Sequence, residues 1–327
     1  MSAFAFIAAE KANHRVSVMC RTLGVSRSGF YAWAGREPSA RRRADIELTT
    51  QIRHAFDASR CTYGAPRIHA VLARDRVQVS RKRIARLMAA TGIAGASRRR
   101  GRRSLTRPNP ARASAPDLVR RRFSADGPNE LWIADITYIA THERWVYLAI
   151  VADMWSRKVV GWSMREDLTA PLVVDALQMA KTRRRPAPGC IVHTDRGGQY
   201  ASLIYGATMA ESGLVASMGA RGCAYDNAAC ESVISTIKTE LARIHGDRPF
   251  ASRHVARLAV FDYLEAFYNR LRIHSALGNR SPDEFEQLNW PVEMTRRGRT
   301  SGPTPGAWTA VPADHITTGP ATGSSIG

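Results

Sequence analysis

Residues 131–164 read LWIADITYIATHERWVYLAIVADMWSRKVVGWSM and hold three apolar runs of strand length separated by short polar turns. The runs are LWIADITYI (131–139), WVYLAIVADM (145–154) and KVVGWSM (158–164). They are parted by Ala140–Arg144 and by a turn centred on Ser156–Arg157. Gaps that short join hairpin neighbours, because a parallel crossover needs many more residues. An antiparallel three-strand meander is therefore predicted. Downstream, Leu172, Val173, Ala176, Leu177 and Ala180 share one face of a helix expected over Ala170–Thr182. CIVHT (190–194) reads as a fourth strand, Gln199–Ser212 as a helix and LVASM (214–218) as a fifth strand. Three antiparallel strands followed by alternating helix and strand make a mixed sheet with helices packed on it. Residues 219–226, GARGCAYD, read as a loop that is mobile without DNA and ordered with it. A helix begins near Asn227, and another spans Ser252–Arg272.

Upstream the texture is helical. In HRVSVMCRTLGVSRSGFYAWA (14–34) a short helix ends near Leu23 and Gly24 makes the turn. Ser26 then caps a helix carrying Arg27, Phe30, Tyr31 and Trp33, the layout of a helix-turn-helix. A second such pair follows. Pro66 stands near the start of a helix running to about Arg74, and Ser80 caps RKRIARLMAA (81–90). Ile84, Leu87 and Met88 share one face of that last helix, while Arg81, Lys82, Arg83 and Arg86 line the other, as a helix entering a major groove requires.

The 327 residues carry a net charge of +20, with hydrophobic residues at 44%. Residues 1–125 hold 27 basic and 7 acidic residues, whereas residues 126–327 hold 21 of each. The whole excess of positive charge thus sits in the first third, which suggests a nucleic-acid-binding arm on a separate folded unit. The five cysteines are odd in number and form no C-x-x-C pair, which argues against a disulfide framework and a zinc knuckle and fits a reducing cytoplasm. A cytoplasmic, nucleoid-associated protein is expected. The apolar stretch Ala3–Ala9 is too short to span a membrane, and no later stretch approaches the length needed. The segment boundaries expected are 1–40 and 41–95 for the two helix-turn-helix units and 96–125 for a basic linker. A core follows over 126–245, a helical extension over 246–290 and a disordered, Gly-, Pro-, Thr- and Ser-rich tail over 291–327.

Three acids in the neutral part attract notice. Asp135 lies inside the first strand between apolar neighbours, where a lone carboxylate is costly unless paired or metal-bound. Asp195 directly follows the fourth strand, in HTDRGGQY, with Gly197 and Gly198 making a tight turn. Glu231 lies one turn into the helix opened by Asp226 and Asn227. Taken singly, an edge-strand acid facing water explains Asp135, and the helix dipole explains Glu231. Asp153 is an alternative first acid, ranked below Asp135. His193 points to the same side of its strand as Asp195 and is read as packed or hydrogen-bonded rather than as a ligand.

Order and spacing change that weighting. The set comprises an acid in a first strand, an acid after a fourth strand and a Glu after 35 intervening residues. It resembles the DDE core of insertion-sequence transposases and retroviral integrases. WIADITYI, VADMWSRKVVGW, HTDRGGQY, YDNAACESVISTIKTEL and YNRLRIHSALGNRSPDEF resemble, in order, those of bacterial insertion-sequence transposases with an integrase-type core. In that family the protein comes from the downstream of two overlapping frames. The likeness extends upstream through YGAPRIHAVL and GVSRSGFYAW and covers about 14–288. Thr194 and Gly198 replace a frequent Ser, and SMGARGCAYDNA departs from the usual SMSRKGNCWDNA. Neither change touches a carboxylate.

The resemblance implies an α/β fold with a ribonuclease-H-like mixed-sheet core preceded by all-α helix-turn-helix domains. It implies a transposase that binds its element's ends, cleaves there and transfers 3′-hydroxyls to target DNA. Asp135, Asp195 and Glu231 would be the catalytic, metal-holding acids, with Asp135 bridging two Mg²⁺ ions and Mn²⁺ able to substitute. Two such ions about 3.5–4 Å apart neutralise the attacked phosphate and supply a deprotonated nucleophile. Lys238, seven residues after Glu231 and therefore on its helix face, is expected to grip a phosphate, and the family carries a basic residue there. Expected partners are the element's terminal repeats and target DNA, a homo-oligomer that joins two ends, and the upstream-frame protein or a frameshift fusion with it. The chain has no sustained heptad repeat to dimerise through. Two other readings remain open. One is a DNA-binding regulator with a decayed core, which the intact acids oppose. The other is a structure-selective nuclease on the same fold, for which two end-binding helix pairs have no use.

Overall fold

A computed structural model describes residues 2–37, 39–97, 115–219 and 228–291. Most of the expected basic linker, nearly all of the 219–226 loop and almost the whole tail lie outside these residues.

The meander forms as the turn spacing requires. β1 (Leu131–Thr141), β2 (Arg144–Asp153) and β3 (Val159–Arg165) pair antiparallel in sequence order. β4 (Ile191–Thr194) then adds parallel to β1, and β5 (Val215–Met218) adds parallel to β4, for a sheet order of β3-β2-β1-β4-β5. Period-two alternation divides β1 between two cores. Trp132 and Ala134 face a cluster with Leu172, Val173, Ala176 and Leu177 of α7 (Ala170–Arg184) and Met209 of α8 (Leu203–Glu211). Ile133 and Ile139 face a larger cluster with Cys230, Val233, Ile234 and Ile237 of α9 (Ala228–His245). Gly161 of β3 is needed where α7 crosses, since a Cβ there would stand 2.2 Å from the Ala176 carbonyl oxygen.

Two helices start or run differently from the sequence expectation. α8 begins at Leu203 rather than Gln199, because the intervening residues turn back on themselves and Ser202 caps the helix at the Tyr205 N–H. The helix expected over Ser252–Arg272 is α10 (Arg253–Phe261) continued by a π-helical segment, Asp262–Tyr268. The wider turn carries into the core Tyr263, Leu264, Phe267 and Tyr268, all at most 1% exposed.

The N-terminal apolar stretch is a helix, α1 (Ala3–Glu10), packed against α2 (Val16–Thr22) and α3 (Arg27–Ala34) around Ile7, Met19, Cys20 and Phe30. Gly24 takes φ +65° at the turn between α2 and α3, and Ser26 caps α3 as expected. The second helical group has a member the sequence reading passed over, α4 (Ala40–Ala58), ahead of α5 (Ala65–Arg74) and α6 (Arg81–Ala90). Ile52, Phe56, Ile68, Leu72, Ile84 and Leu87 of this group belong to the same buried cluster as β1 and α9.

The basic third is therefore not a wholly separate unit, and that expectation is corrected. The described residues up to Gln287 form one compact body. The Tyr63 hydroxyl stitches the two parts, accepting from Ile273 N–H at 2.7 Å and donating to the Leu271 carbonyl at 3.3 Å. Arg60 pairs with Asp262, and Arg74 pairs with Glu284 at 2.9 Å. Among the described residues, no helix is long and apolar enough to cross a membrane.

Candidate active site

Parallel pairing of β1 with β4 sets two of the three acids side by side. The register runs Leu131 with Ile191 through Ala134 with Thr194, so the next residue on each chain is Asp135 and Asp195. Asp135 alternates with Ile133 and Ile139 and therefore lies on the α9 side of the sheet. Asp195 sits past the end of β4, its Oδ1 accepting the Gly197 N–H at 2.9 Å. Burial pushes its carboxyl above the ordinary carboxylate range, against the pull of that N–H.

Glu231 stands exposed in the first turn of α9. Its neighbour Cys230 is buried, with its Sγ 3.7 Å from the Ala134 carbonyl oxygen. Burial pushes that thiol well up, and Asp135, Asp195 and Glu231 add to the shift. One thiol thus senses all three carboxylates. The Tyr200 phenol behind them is also raised, first by burial and then by Asp135 and Asp195, and its hydroxyl is buried with no hydrogen-bond partner among the described residues. Asp135 and Asp195 thus adjoin at the end of β4, and Glu231 opens the helix whose Cys230 packs on β1 beside Asp135. Among the described residues, no three His, Cys, Asp or Glu side chains are gathered as a metal cage. The donor set still suits a hard divalent cation in kind: three carboxylates, one of them desolvated, around a thiol that stays protonated.

Lys238 lies two turns along α9 from Glu231 and faces β1. Its Nζ is 3.3 Å from Thr137 Oγ1 and 4.2 Å from the centre of the Tyr138 ring. Glu240, two residues on, is buried in a bidentate pair with Arg272.

The other expected residues separate clearly. Asp153 is 0% exposed and fully engaged. It accepts from the Asn129 and Trp155 N–H groups, each at 2.9 Å, and from Arg184 at 2.8 Å, so it locks β2 to α7 and is unavailable as a first acid. His193 is buried, with Nδ1 2.9 Å from Ser217 Oγ and its ring edge-on to Phe123, the packed role expected of it. On α6, Arg81 and Lys82 are exposed. Arg83 and Arg86, expected on the DNA-facing side, both grip Asp45 of α4, at 2.7 Å each. Arg27 is exposed at the first position of α3. The interhelical acid Asp45 gave no signal in the sequence, since its partners lie 38 and 41 residues away.

Two integrase core domain families match residues 125–223 and 212–282, and an HTH-like domain family matches residues 42–101. A curated relative, the transposase InsF for insertion sequence IS3A of Escherichia coli (strain K12), is 41% identical over 288 residues, covering 88% of this chain and 99% of that protein. The chain belongs to the IS3 family of insertion-sequence transposases. An uncharacterized 31 kDa protein of insertion element IS600 from Shigella sonnei is 40% identical over 82% of this chain and 97% of its own length. Among solved structures, a simian T-cell lymphotropic virus intasome in complex with a PP2A regulatory subunit aligns at 16% identity. That alignment has a TM-score of 0.44 and covers 68% of this chain and 71% of that one. The HTLV-2 integrase catalytic core domain in complex with magnesium aligns at 17% identity, with a TM-score of 0.38, over 49% of this chain and 97% of its own. As an IS3-family transposase, the chain has the expected α/β integrase-type core preceded by helical HTH-like segments.

Proposed function

We propose that this transposase binds the ends of its mobile element, cleaves there and transfers the 3′-hydroxyl ends to target DNA, with Asp135, Asp195 and Glu231 as its catalytic acids. The observation that carries this reading is the β1–β4 register that sets Asp135 next to Asp195, with Glu231 in the first turn of the helix whose Cys230 packs 3.7 Å from the Ala134 carbonyl oxygen.

Asp135, Asp195 and Glu231 would hold Mg²⁺, with Mn²⁺ able to substitute, and two ions would suit the chemistry. When bound, the ions supply charge neutralisation at the attacked phosphate and lower the pKa of the attacking oxygen. The chain's own residues do the rest. The Gly197 N–H orients the Asp195 carboxylate. The wall of β1 and α9 around Cys230 limits water on one side of the acids. Lys238, whose Nζ lies beside Thr137, would hold a phosphate near the one being cut. Arg27, Arg81, Lys82, Arg83 and Arg86 would contact DNA through α3 and α6. Arg83 and Arg86 would do so only on leaving Asp45 or through their remaining N–H groups. A homo-oligomer would be needed to join two ends, and the upstream-frame product or a fusion with it would be a further partner.

The test is purified protein with Mg²⁺ and a labelled candidate end of the element. Joined products are expected. Cutting without joining would identify a nuclease, and binding without either would identify a regulator.

A further inference from the structure

Residues 116–123, near the end of the expected basic linker, are fastened to the sheet at several points. The Met218 N–H donates to the Pro116 carbonyl at 3.3 Å, and the Leu118 N–H donates to Ser217 Oγ at 3.0 Å. Val119 is buried in the cluster that holds Ile133 and Cys230. The Phe123 ring meets His193 edge-on at 5.7 Å, and its carbonyl accepts from Arg157 at 3.3 Å. These anchors put the bend on the sheet face that carries Asp135. His193 pairs with Ile133 across β1–β4 and with Ser217 across β4–β5. Ladder partners point to one side, and Asp135 is two residues beyond Ile133 on that side. β5 stands two strand spacings from β1, about 10 Å. That is the length of about three nucleotides of one DNA strand.

Between the anchors Val119 and Phe123 stand three successive arginines, Arg120, Arg121 and Arg122, all exposed. Arg120 has φ +48° and Arg121 has φ +65°, left-handed positions that glycine takes at less cost. The surroundings impose this shape. Asp117 Oδ1 accepts the N–H groups of Val119 at 3.0 Å and Arg120 at 2.9 Å, and the Arg122 N–H donates to the Val119 carbonyl at 2.9 Å. Strained positions of this kind gather at ligand clamps. The bend borders an open pocket of about 400 Å³ lined by Asp117, Leu118, Val119, Arg120 and Arg122. Residues 126–327 carry 21 basic and 21 acidic residues, so the sheet has no general excess of positive charge with which to hold a polyanion. Three cations on the face of the acids supply it locally.

We propose that Arg120, Arg121 and Arg122 form a phosphate clamp on the core, which holds a DNA backbone on the sheet face of Asp135. The inference rests, for its ligand, on the reading of the acids as the site that processes DNA. A guanidinium fork matches two phosphate oxygens, and consecutive forks on a bend suit successive phosphates of one strand. Such contacts carry no sequence information, so the clamp positions DNA and does not select it. An element end and a target duplex present the same phosphates, and the experiment separates them.

The experiment is a salt titration of DNA binding by the full chain without metal, on a labelled candidate end of the element and on an arbitrary duplex. The test variant carries Arg120→Gly and Arg121→Gly together, which removes two charges and suits the left-handed backbone. Its log K is expected to fall with log salt less steeply than the wild type, by about 1.8 at 0.9 for each lost phosphate contact. Arg120→Gln with Arg121→Gln should show the same loss without altering the backbone preference, and Arg120→Lys with Arg121→Lys should keep the wild-type slope. A loss on the element end alone assigns the clamp to that DNA. A loss on the arbitrary duplex alone assigns it to the target, and a loss on both makes it common to the two. Unchanged slopes on both DNAs in the Gly and Gln variants overturn the clamp. So does a change confined to weaker self-association in sedimentation, because the arginines would then meet protein. Adding Mg²⁺ separates the two readings. A wild-type chain that neither cuts nor joins, while the variants lose slope, removes the end-processing reading and leaves the clamp. A wild-type chain that joins ends, while the variants keep its slopes, removes the clamp alone.

Discussion

The guanidinium of Arg272 holds the carboxylate of Glu240 in the interior, Nε to Oε2 at 2.8 Å and Nη2 to Oε1 at 2.7 Å, with both residues 3% exposed. The Tyr263 hydroxyl donates to the same carboxylate at 2.8 Å, and Arg67 of α5 approaches it at 3.5 Å. One acid thus joins α9, the π-helical segment and the HTH-like helices. Arg272→Ala leaves Glu240 buried without its main partner, a loss of about 3–5 kcal/mol. A denaturant midpoint close to that of the wild type would show that the pair is not needed.

Asp135→Asn, Asp195→Asn and Glu231→Gln should each abolish cleavage and joining while leaving end binding nearly intact. Each change keeps side-chain size and removes the negative charge that a hard cation requires. Substantial joining by any one variant, read on a labelled end, would remove that residue from the site.

Lys238→Ala should slow the processing of pre-bound ends, and Lys238→Arg should keep part of the activity, since both cations can hold a phosphate but differ in shape. Its contacts with Thr137 and Tyr138 place the charge against β1. Processing by Lys238→Ala at the wild-type rate across a salt series would reduce the residue to a packing role.

His274 sets an acid limit on stability. Burial holds its pKa well below the ordinary value, with Arg272, Arg67 and Arg157 adding to the effect. The unfolded histidine takes its proton near pH 6.5, so the unfolded chain binds that proton first. The contribution is intact above that pH and is lost progressively as pH falls below it. Unfolding midpoints measured from pH 7 to 5 should decline less steeply in His274→Gln than in the wild type. Equal slopes would assign the acid sensitivity to other groups.

Most of the core was legible because its signals are local. The three strands of the meander, α7 and the turn after β4 each follow from patterns within a dozen residues, and the β1–β4 register then sets Asp135 beside Asp195. What escaped depends on contacts distant in sequence. Asp153 looks like a candidate acid until Arg184, 31 residues on, is seen to occupy it. Glu240 looks like a surface residue until Arg272, 32 residues on, folds over it. Charge arithmetic suggested a detached basic arm, but Ile52, Ile68 and Ile84 bury themselves in the same cluster as β1 and α9. Trp145 reads as an ordinary strand residue, and only the folded sheet shows its ring outside the buried clusters.

Asp45 is expected to set how α6 reads DNA. Its Oδ1 accepts from Arg83 Nε at 2.8 Å and its Oδ2 from Arg86 Nη2 at 2.7 Å. The two arginines hold its carboxyl below the ordinary range, Arg86 first and then Arg83. The clamp directs both side chains toward α4 and leaves Arg81 and Lys82 as the outward cations of the helix. Asp45→Asn removes the charge that restrains the arginines but keeps the shape of the side chain. Each arginine that then reaches a phosphate releases a counterion and steepens the dependence of log K on log salt by about 0.9. Binding to arbitrary duplex DNA should therefore strengthen at low salt and fall more steeply as salt is added. Discrimination in favour of the element's own ends should shrink, because phosphate contacts carry no sequence information directly. The measurement is a salt titration of both DNAs with wild-type and Asp45→Asn protein. Identical slopes would mean that Arg83 and Arg86 stay turned toward α4 without the carboxylate, and that α6 meets DNA through Arg81 and Lys82 alone.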